Sequence, residues 1–409
     1  MSVTVDFSSP EIKVNPYPLY REFRERQPVM WNGQGWWIFR YDDIMQLLND
    51  PRVSSARNES LISVLPPDVQ RELEPMRNLL TKRMLFTDGA THTRLRTLLT
   101  KAFSAKAANV KRERIQQIAD QLLAPLLPRG EMELMEEFAV PLPSLVVADM
   151  LGISPDRRGD FARWARDQVR VFDRPGTLGE RVAVMRQGQA AMLETKEYME
   201  SVITERRREP REDLISELIA VEEAGDRLTT EEMVVMIISL LVGGNNSTAH
   251  LIGNTVLMLA REPEALAELR ADPHLIRSTI EEVMRFECPV QTTSRVAAER
   301  IEIGGQVIEA GQNIFLVLAS ANHDEAHFPD PDRFDIHRHP NRHLDFAHGP
   351  HFCLGAPIAR AEAQIAVSAV VQHCAGLSLV SDQVEWLDGF SFRGPKRLPM
   401  RFQPVTAGN

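Results

Sequence analysis

The chain has 409 residues and a mass of 46.2 kDa, with 43% hydrophobic and 25% charged residues, the balance of a soluble globular protein with a large core rather than a disordered one. Its formal charge is −10 and its pI near 5.7, which argues against a nucleic-acid binder held by a general basic surface. Three cysteines (Cys288, Cys353, Cys374) exclude a disulfide framework and suit a reducing compartment. The amino end lacks a basic region followed by an apolar one, and the longest apolar run, Met233 to Gly244, is too short to span a bilayer. A cytoplasmic, soluble protein is expected.

In chain order, Pro18–Arg24 has helical apolar spacing, and Trp31–Arg40 reads as a hairpin around a glycine-bearing turn. From about 90 to 285 nearly everything has a 3.6-residue period, for example Ile115–Leu127, Leu145–Leu151 and Met192–Arg206. Strand character returns at 295–320 and 378–403, where Phe390–Arg393 and Leu398–Phe402 suggest a closing hairpin. The fold class is therefore mainly α with small β-sheets (α+β). No linker or repeat divides the chain, so residues 1–409 are read as one domain.

Thr229 and Glu232 form a capping box that opens a helix running to about Glu262, roughly 50 Å long at 1.5 Å per residue. Its centre, Leu240-Leu-Val-Gly-Gly-Asn-Asn-Ser-Thr248, carries two glycines that cost roughly 2 kcal/mol together relative to alanine. Close packing against another helix is one explanation; a local kink that makes room for a ligand is the one favoured, given the segment around Cys353.

The most informative stretch is Phe346-Ala-His-Gly-Pro-His-Phe-Cys-Leu-Gly355, which feeds a strong helix pattern with Pro357 in its first turn. Cys353 thus precedes a helix amino end, where free N–H groups and the dipole favour a thiolate. Gly349 and Gly355 are expected to let the backbone bend tightly around the sulfur. Three readings compete: a buried structural cysteine, a zinc ligand, and an axial thiolate to haem iron. Seven of the eleven histidines lie between His323 and His351, but their spacing matches no common zinc pattern.

The segment from Phe346 to Gly355, a Phe-x-x-Gly-x-x-x-Cys-x-Gly loop, resembles the cytochrome P450 family, and further motifs follow in the family's order from about Pro18 to Phe402. Ala347 stands where the family usually has glycine and is expected to keep a negative φ. The resemblance implies a haem-thiolate monooxygenase of the soluble bacterial type (oxidoreductase, EC 1.14), with a long central helix over haem b and Cys353 as the ligand of the iron. It makes Phe346 and Gly355 part of the cofactor site. It assigns the haem propionates to His92 and Arg96, within Asp88–Arg96, and to Arg295 and His351. It buries Glu282 and Arg285, a helical pair otherwise worth only about 0.2–0.5 kcal/mol, with Arg333 or Arg338 as third member.

The family usually follows the glycines corresponding to Gly243 and Gly244 with an acid and then an alcohol, the alcohol bonding to dioxygen and the acid reaching a proton source. Here Asn246 takes the acid's place and Ser247 the alcohol's, with Thr248 next. An amide orients water but does not titrate. Substrate is expected to meet Leu240, Gly243, Val290, Thr293 and Phe392, under a lid formed by segments 57–86 and 172–186. Electrons from NAD(P)H would arrive through a separate ferredoxin or flavodoxin and its reductase, docked near Arg94, Lys101, Arg338 and Arg342, to oxidise an apolar small molecule of secondary metabolism. The alternatives are an atypical enzyme of the same fold, performing oxidative coupling or peroxide-driven oxidation, and a non-catalytic metal-binding helical protein.

Overall fold

The structure is a computed structural model that describes residues 9–57, 62, 65–103, 111–171, 177–223 and 226–405. It is mostly helical with small sheets, and its chain forms two compact units. The first comprises residues 1–54, 111–142 and 247–409; the second comprises 55–110 and 143–246.

In the first unit a five-stranded sheet gathers strands from both ends of the chain, in the order Val29–Trp31, Trp36–Ile38, Asn313–Leu316, Thr293–Ala297, Val53–Ser54. The expected hairpin pairs Val29 with Ile38 and Trp31 with Trp36. Its turn rests on Asn32, whose side-chain oxygen accepts from the N–H groups of Gln34 and Gly35. Gly35 leaves room for a ring: a Cβ there would lie 2.6 Å from Phe315. Ile38, Ile44, Ile301, Ile314 and Leu316 form the core behind this sheet. The proposed closing hairpin is corrected. Pro399–Pro404 pairs instead with Cys374–Leu379 and Glu131–Glu133, while Phe392 makes an isolated bridge to Val290. Period-2 patterning gives a strand's faces but not its partner.

In the second unit, Arg158–Arg170 packs along the 31-residue helix Leu178–Arg208. Gly188 permits the close approach, since a Cβ there would lie 2.1 Å from a Val171 methyl. The long helix spans Thr230–Arg261 and is α-helical without interruption through Gly243–Gly244. Its capping box is present: Thr229 N donates to Glu232 Oε2 at 2.8 Å, and Glu232 N to Thr229 Oγ1 at 3.2 Å. Counted over its whole length, this helix is long and apolar enough to cross a membrane, contrary to the reading of Met233–Gly244 alone, because the apolar pattern resumes at Leu251. Of its most apolar window, 61% is buried inside the protein.

Candidate haem-thiolate site

The cysteine loop belongs to the first unit. Cys353 N donates to Phe346 O at 3.0 Å, and Gly349–His351 forms a short 3-10 turn closed by Phe352 N on Gly349 O. Gly349 carries the bend, with φ of +72° and no space for a side chain, since a Cβ would lie 2.7 Å from Leu48 O. Gly355 has an ordinary φ of −79°, so the tight bend does not depend on it; what its missing side chain leaves open is space near the Cys353 sulfur, 3.9 Å from where a Cβ would sit. Ala347 departs from expectation. Its φ is +55°, in the left-handed region that glycine tolerates and alanine does not favour.

The helix Ala356–His373 starts three residues after Cys353 with Pro357 in its first turn. The three thiols differ sharply. Cys353 is exposed, whereas Cys288 and Cys374 are buried. Burial, reinforced by Asp345, whose Oδ1 accepts from Cys288 Sγ at 3.0 Å, pushes the Cys288 thiol far up, and burial pushes Cys374 up to about 12. Of the three, Cys353 alone presents an exposed sulfur.

Behind the loop, Arg360 lies over the Phe346 ring at 4.5 Å and donates to Glu281 at 2.7 and 2.8 Å. His343 Nε2 lies 3.0 Å from the same carboxylate. Burial alone would raise Glu281, but the hydrogen bonds from Arg360 and His343 outweigh it and hold the carboxyl near 2. This triad, which fixes Phe346, had no signal in the sequence beyond ordinary charge spacing.

Glu282 and Arg285 are fully buried. Arg338, 9% exposed, reaches Glu282 at 3.2 Å and is the third member of the network. Arg333 contributes only its carbonyl, which accepts from Arg285 Nη2 at 3.0 Å. Arg295 is buried on the sheet and donates to Thr293 Oγ1 and Ser294 O. Val290, Thr293, Arg295, His351 and Phe392 thus share the first unit with Cys353, as do Ser247 and Thr248.

The second unit holds His92 and Arg96 on the helix Gly89–Ala102, together with Leu240, Gly243, Gly244 and Asn246. His92 is buried, and burial followed by the neighbouring Arg96 charge lowers its pKa. Leu240 is half-buried. Gly243 stands out on the long helix: it is exposed, and a Cβ added there meets nothing within 4 Å. Open space, not close packing, surrounds this glycine. Gly244 faces only a Val147 methyl, at 3.9 Å from an added Cβ.

The two lid segments are tied together where they are described. Arg186 grips Glu72 with bonds of 2.7 and 2.8 Å, and Gln189 bridges Glu72 O and Met76 N. Residues 58–61, 63, 64 and 172–176 of these segments lie outside the described residues, as does the side chain of Lys101. Two members of the suggested basic docking patch are engaged elsewhere: Arg94 binds Asp226 and Glu232, and Arg338 binds Glu282, while Arg342 is exposed.

The histidine cluster does not assemble. His327 faces Asp42, His337 faces Glu268, His343 faces Glu281, and His348 faces Asn49. Among the described residues no group of three or more His, Cys, Asp or Glu side chains is arranged to hold a metal ion.

The family model for cytochrome P450 matches residues 175–385. Cytochrome P450 107B1 of Saccharopolyspora erythraea is 39% identical over 393 residues, covering 95% of this chain and 94% of that protein. The chain belongs to the cytochrome P450 family. Cytochrome P450 monooxygenase PikC of Streptomyces venezuelae is 37% identical over 96% of this chain and 92% of its own length. Among solved structures, P450BioI in complex with a hexadec-9Z-enoic acid ligated acyl carrier protein superposes with a TM-score of 0.87 at 33% identity, covering 96% of this chain and 100% of that one. Like its relatives, this cytochrome P450 is a monooxygenase, an oxidoreductase whose cofactor is haem b held through a cysteine thiolate. The exposed Cys353 thiol ahead of a helix fits that group.

Proposed function

We propose that Cys353 is the thiolate that holds haem b, and that the protein is a cytoplasmic monooxygenase inserting one oxygen atom into an apolar small molecule. The observation that carries this reading is the contrast among the thiols: one exposed at a helix amino end, two buried and held protonated. His92, Arg96, Arg295 and His351 are assigned to the two propionates as donors and cations. When bound, haem supplies dioxygen activation, with the thiolate as the electron-donating ligand that favours O–O cleavage.

The chain's own residues do the rest. Gly243 leaves space on the long helix, and Ser247, one helical turn further on, offers a hydroxyl donor toward the same side. Asn246 orients water through its amide but holds no titrating proton, so proton delivery runs through ordered water or a substrate hydroxyl. Phe346 is clamped by Arg360, and the Glu282–Arg285–Arg338 network ties the helix Ile276–Phe286 to residues 322–341, ahead of the cysteine loop. Electrons come from NAD(P)H through a separate ferredoxin or flavodoxin and its reductase, and the substrate belongs to secondary metabolism, as 33% identity over 95% of this chain with the polyketide biosynthesis cytochrome P450 PksS of Bacillus subtilis supports. Leu240, Val290, Thr293 and Phe392 line the substrate's path. A screen of apolar compounds for a spectral shift on displacing the iron's water identifies that substrate. Failure of every reductant to support turnover, with hydrogen peroxide succeeding, would replace the electron-partner part of the proposal.

A further inference from the structure

Arg83 lies between the helix Glu74–Thr81 and the 3-10 turn Met84–Phe86, in the second unit. Its backbone is fully used: the N–H donates to Leu80 O at 3.2 Å, and the carbonyl accepts from Phe86 N at 2.8 Å. Its side chain is 2% exposed and ranks with the largest fully buried ones. The guanidinium has five N–H donors, yet Nε and Nη2 have no hydrogen-bond partner, and none of the described carboxylates pairs with it. Burial is the only influence on its ionisation, lowering it to about 9, so it stays charged at neutral pH.

The other buried arginines show what folding ordinarily requires. Arg206 binds Asp213 and Gly152 O; Arg285 binds Glu282 and three carbonyls. Arg393 binds Glu287 and the carbonyls of Lys13 and Val14, and Arg24 binds Glu325 and Ser320. A cation buried without a counter-charge is strongly unfavourable. An anion from outside the polypeptide removes that penalty.

We infer that Arg83 is the receptor for a carboxylate that the chain itself does not supply. A planar guanidinium fork matches a carboxylate in two parallel bonds, which an ammonium does not reproduce. Two molecules carry such a group: an acidic apolar substrate, which presupposes the monooxygenase function proposed above, and haem through a propionate. His92, one of the residues proposed for the propionates, follows Arg83 nine residues later in the sequence.

Holoprotein of the wild type, Arg83→Gln and Arg83→Lys distinguishes the two sources. Dodecanoate and hexadecanoate are titrated against their methyl esters, followed by the Soret shift, and haem loss is timed by transfer to excess apomyoglobin. If the carboxylate is the substrate's, the wild type binds the acids at least tenfold tighter than the esters, Arg83→Gln erases that preference, and haem loss is unchanged. If it is a propionate, Arg83→Gln releases haem at least tenfold faster and Arg83→Lys restores part of the retention. Arg83→Gln matching the wild type in both assays overturns the inference. Should that variant not fold, Arg83→Lys carries the test, because loss of the fork lowers one of the two quantities and equality with the wild type in both overturns it. The reduced carbon-monoxide spectrum of the wild type, recorded in parallel, reports separately on the haem-thiolate reading.

Discussion

Arg285 meets Glu282 through two hydrogen bonds, 2.7 and 2.9 Å long, with neither side chain exposed. Arg338, Asn341 and the N–H of Asp335 complete the carboxylate's partners, and three carbonyls complete those of the guanidinium. A lone pair on a helix surface is worth little; a fully satisfied buried network is costly to break. Glu282→Gln should lower stability by about 3–5 kcal/mol, because it leaves the fully buried Arg285 charge without its one carboxylate; Arg285→Leu should cost less, since Arg338 still faces Glu282. Urea unfolding of the holoprotein measures it, and a loss under about 1 kcal/mol contradicts this role.

Acid should weaken the fold in two stages. Burial holds the imidazole of His250 down to about 4, and burial with the nearby Arg285 charge holds His323 down to about 3. Between pH 6.5 and these values the unfolded chain binds protons that the folded chain refuses. Stability is therefore complete above pH 6.5 and falls below it by about 1.4 kcal/mol per pH unit for each histidine. Glu281 follows: held near 2 in the folded state, its contribution is present above about pH 4.5 and fades toward pH 2. His250→Asn should remove one histidine's share of the slope between pH 6.5 and 4.5, read from unfolding midpoints at several pH values. An unchanged slope would place His250 in a wetter environment.

At position 347 the left-handed backbone argues for a stabilising change. Ala347→Gly relieves a conformation that costs an L-residue about 1–2 kcal/mol, partly offset by the greater freedom of glycine in the unfolded chain. A gain of up to about 1 kcal/mol in thermal unfolding is expected, with the Soret spectrum unchanged. A clear loss would show that the methyl group is packed usefully.

Asn246→Asp restores a titrating group one residue ahead of Ser247. Electron leakage to hydrogen peroxide, measured per NAD(P)H consumed with a bacterial ferredoxin and reductase, should fall severalfold. A rise in leakage would assign the amide a specific part in ordering water.

Much of this was legible in the sequence, because its strongest signals are local. The capping box at Thr229, the helix after Cys353 and the hairpin of Val29–Ile38 need only neighbouring residues to form. What escaped depends on distant partners. Nothing in Leu398–Phe402 names Cys374–Leu379 as its neighbour, and nothing in Arg360 points to Glu281, 79 residues away. The Ala347 angle escaped for another reason. An alanine reads as ordinary backbone with negative φ, the expectation stated for it, until its surroundings impose the other conformation. Nothing in the sequence around Arg83 marks it, and only its burial without a counter-charge among the described residues sets it apart.

The central claim is tested most directly by the spectrum of the reduced, carbon-monoxide-treated protein, wild type against Cys353→Ser. The account predicts a red-displaced Soret band for the wild type and its loss in the variant, whose far-ultraviolet circular dichroism stays that of a folded helical protein. A wild type without that band, or a serine variant that keeps it, would contradict the assignment of Cys353.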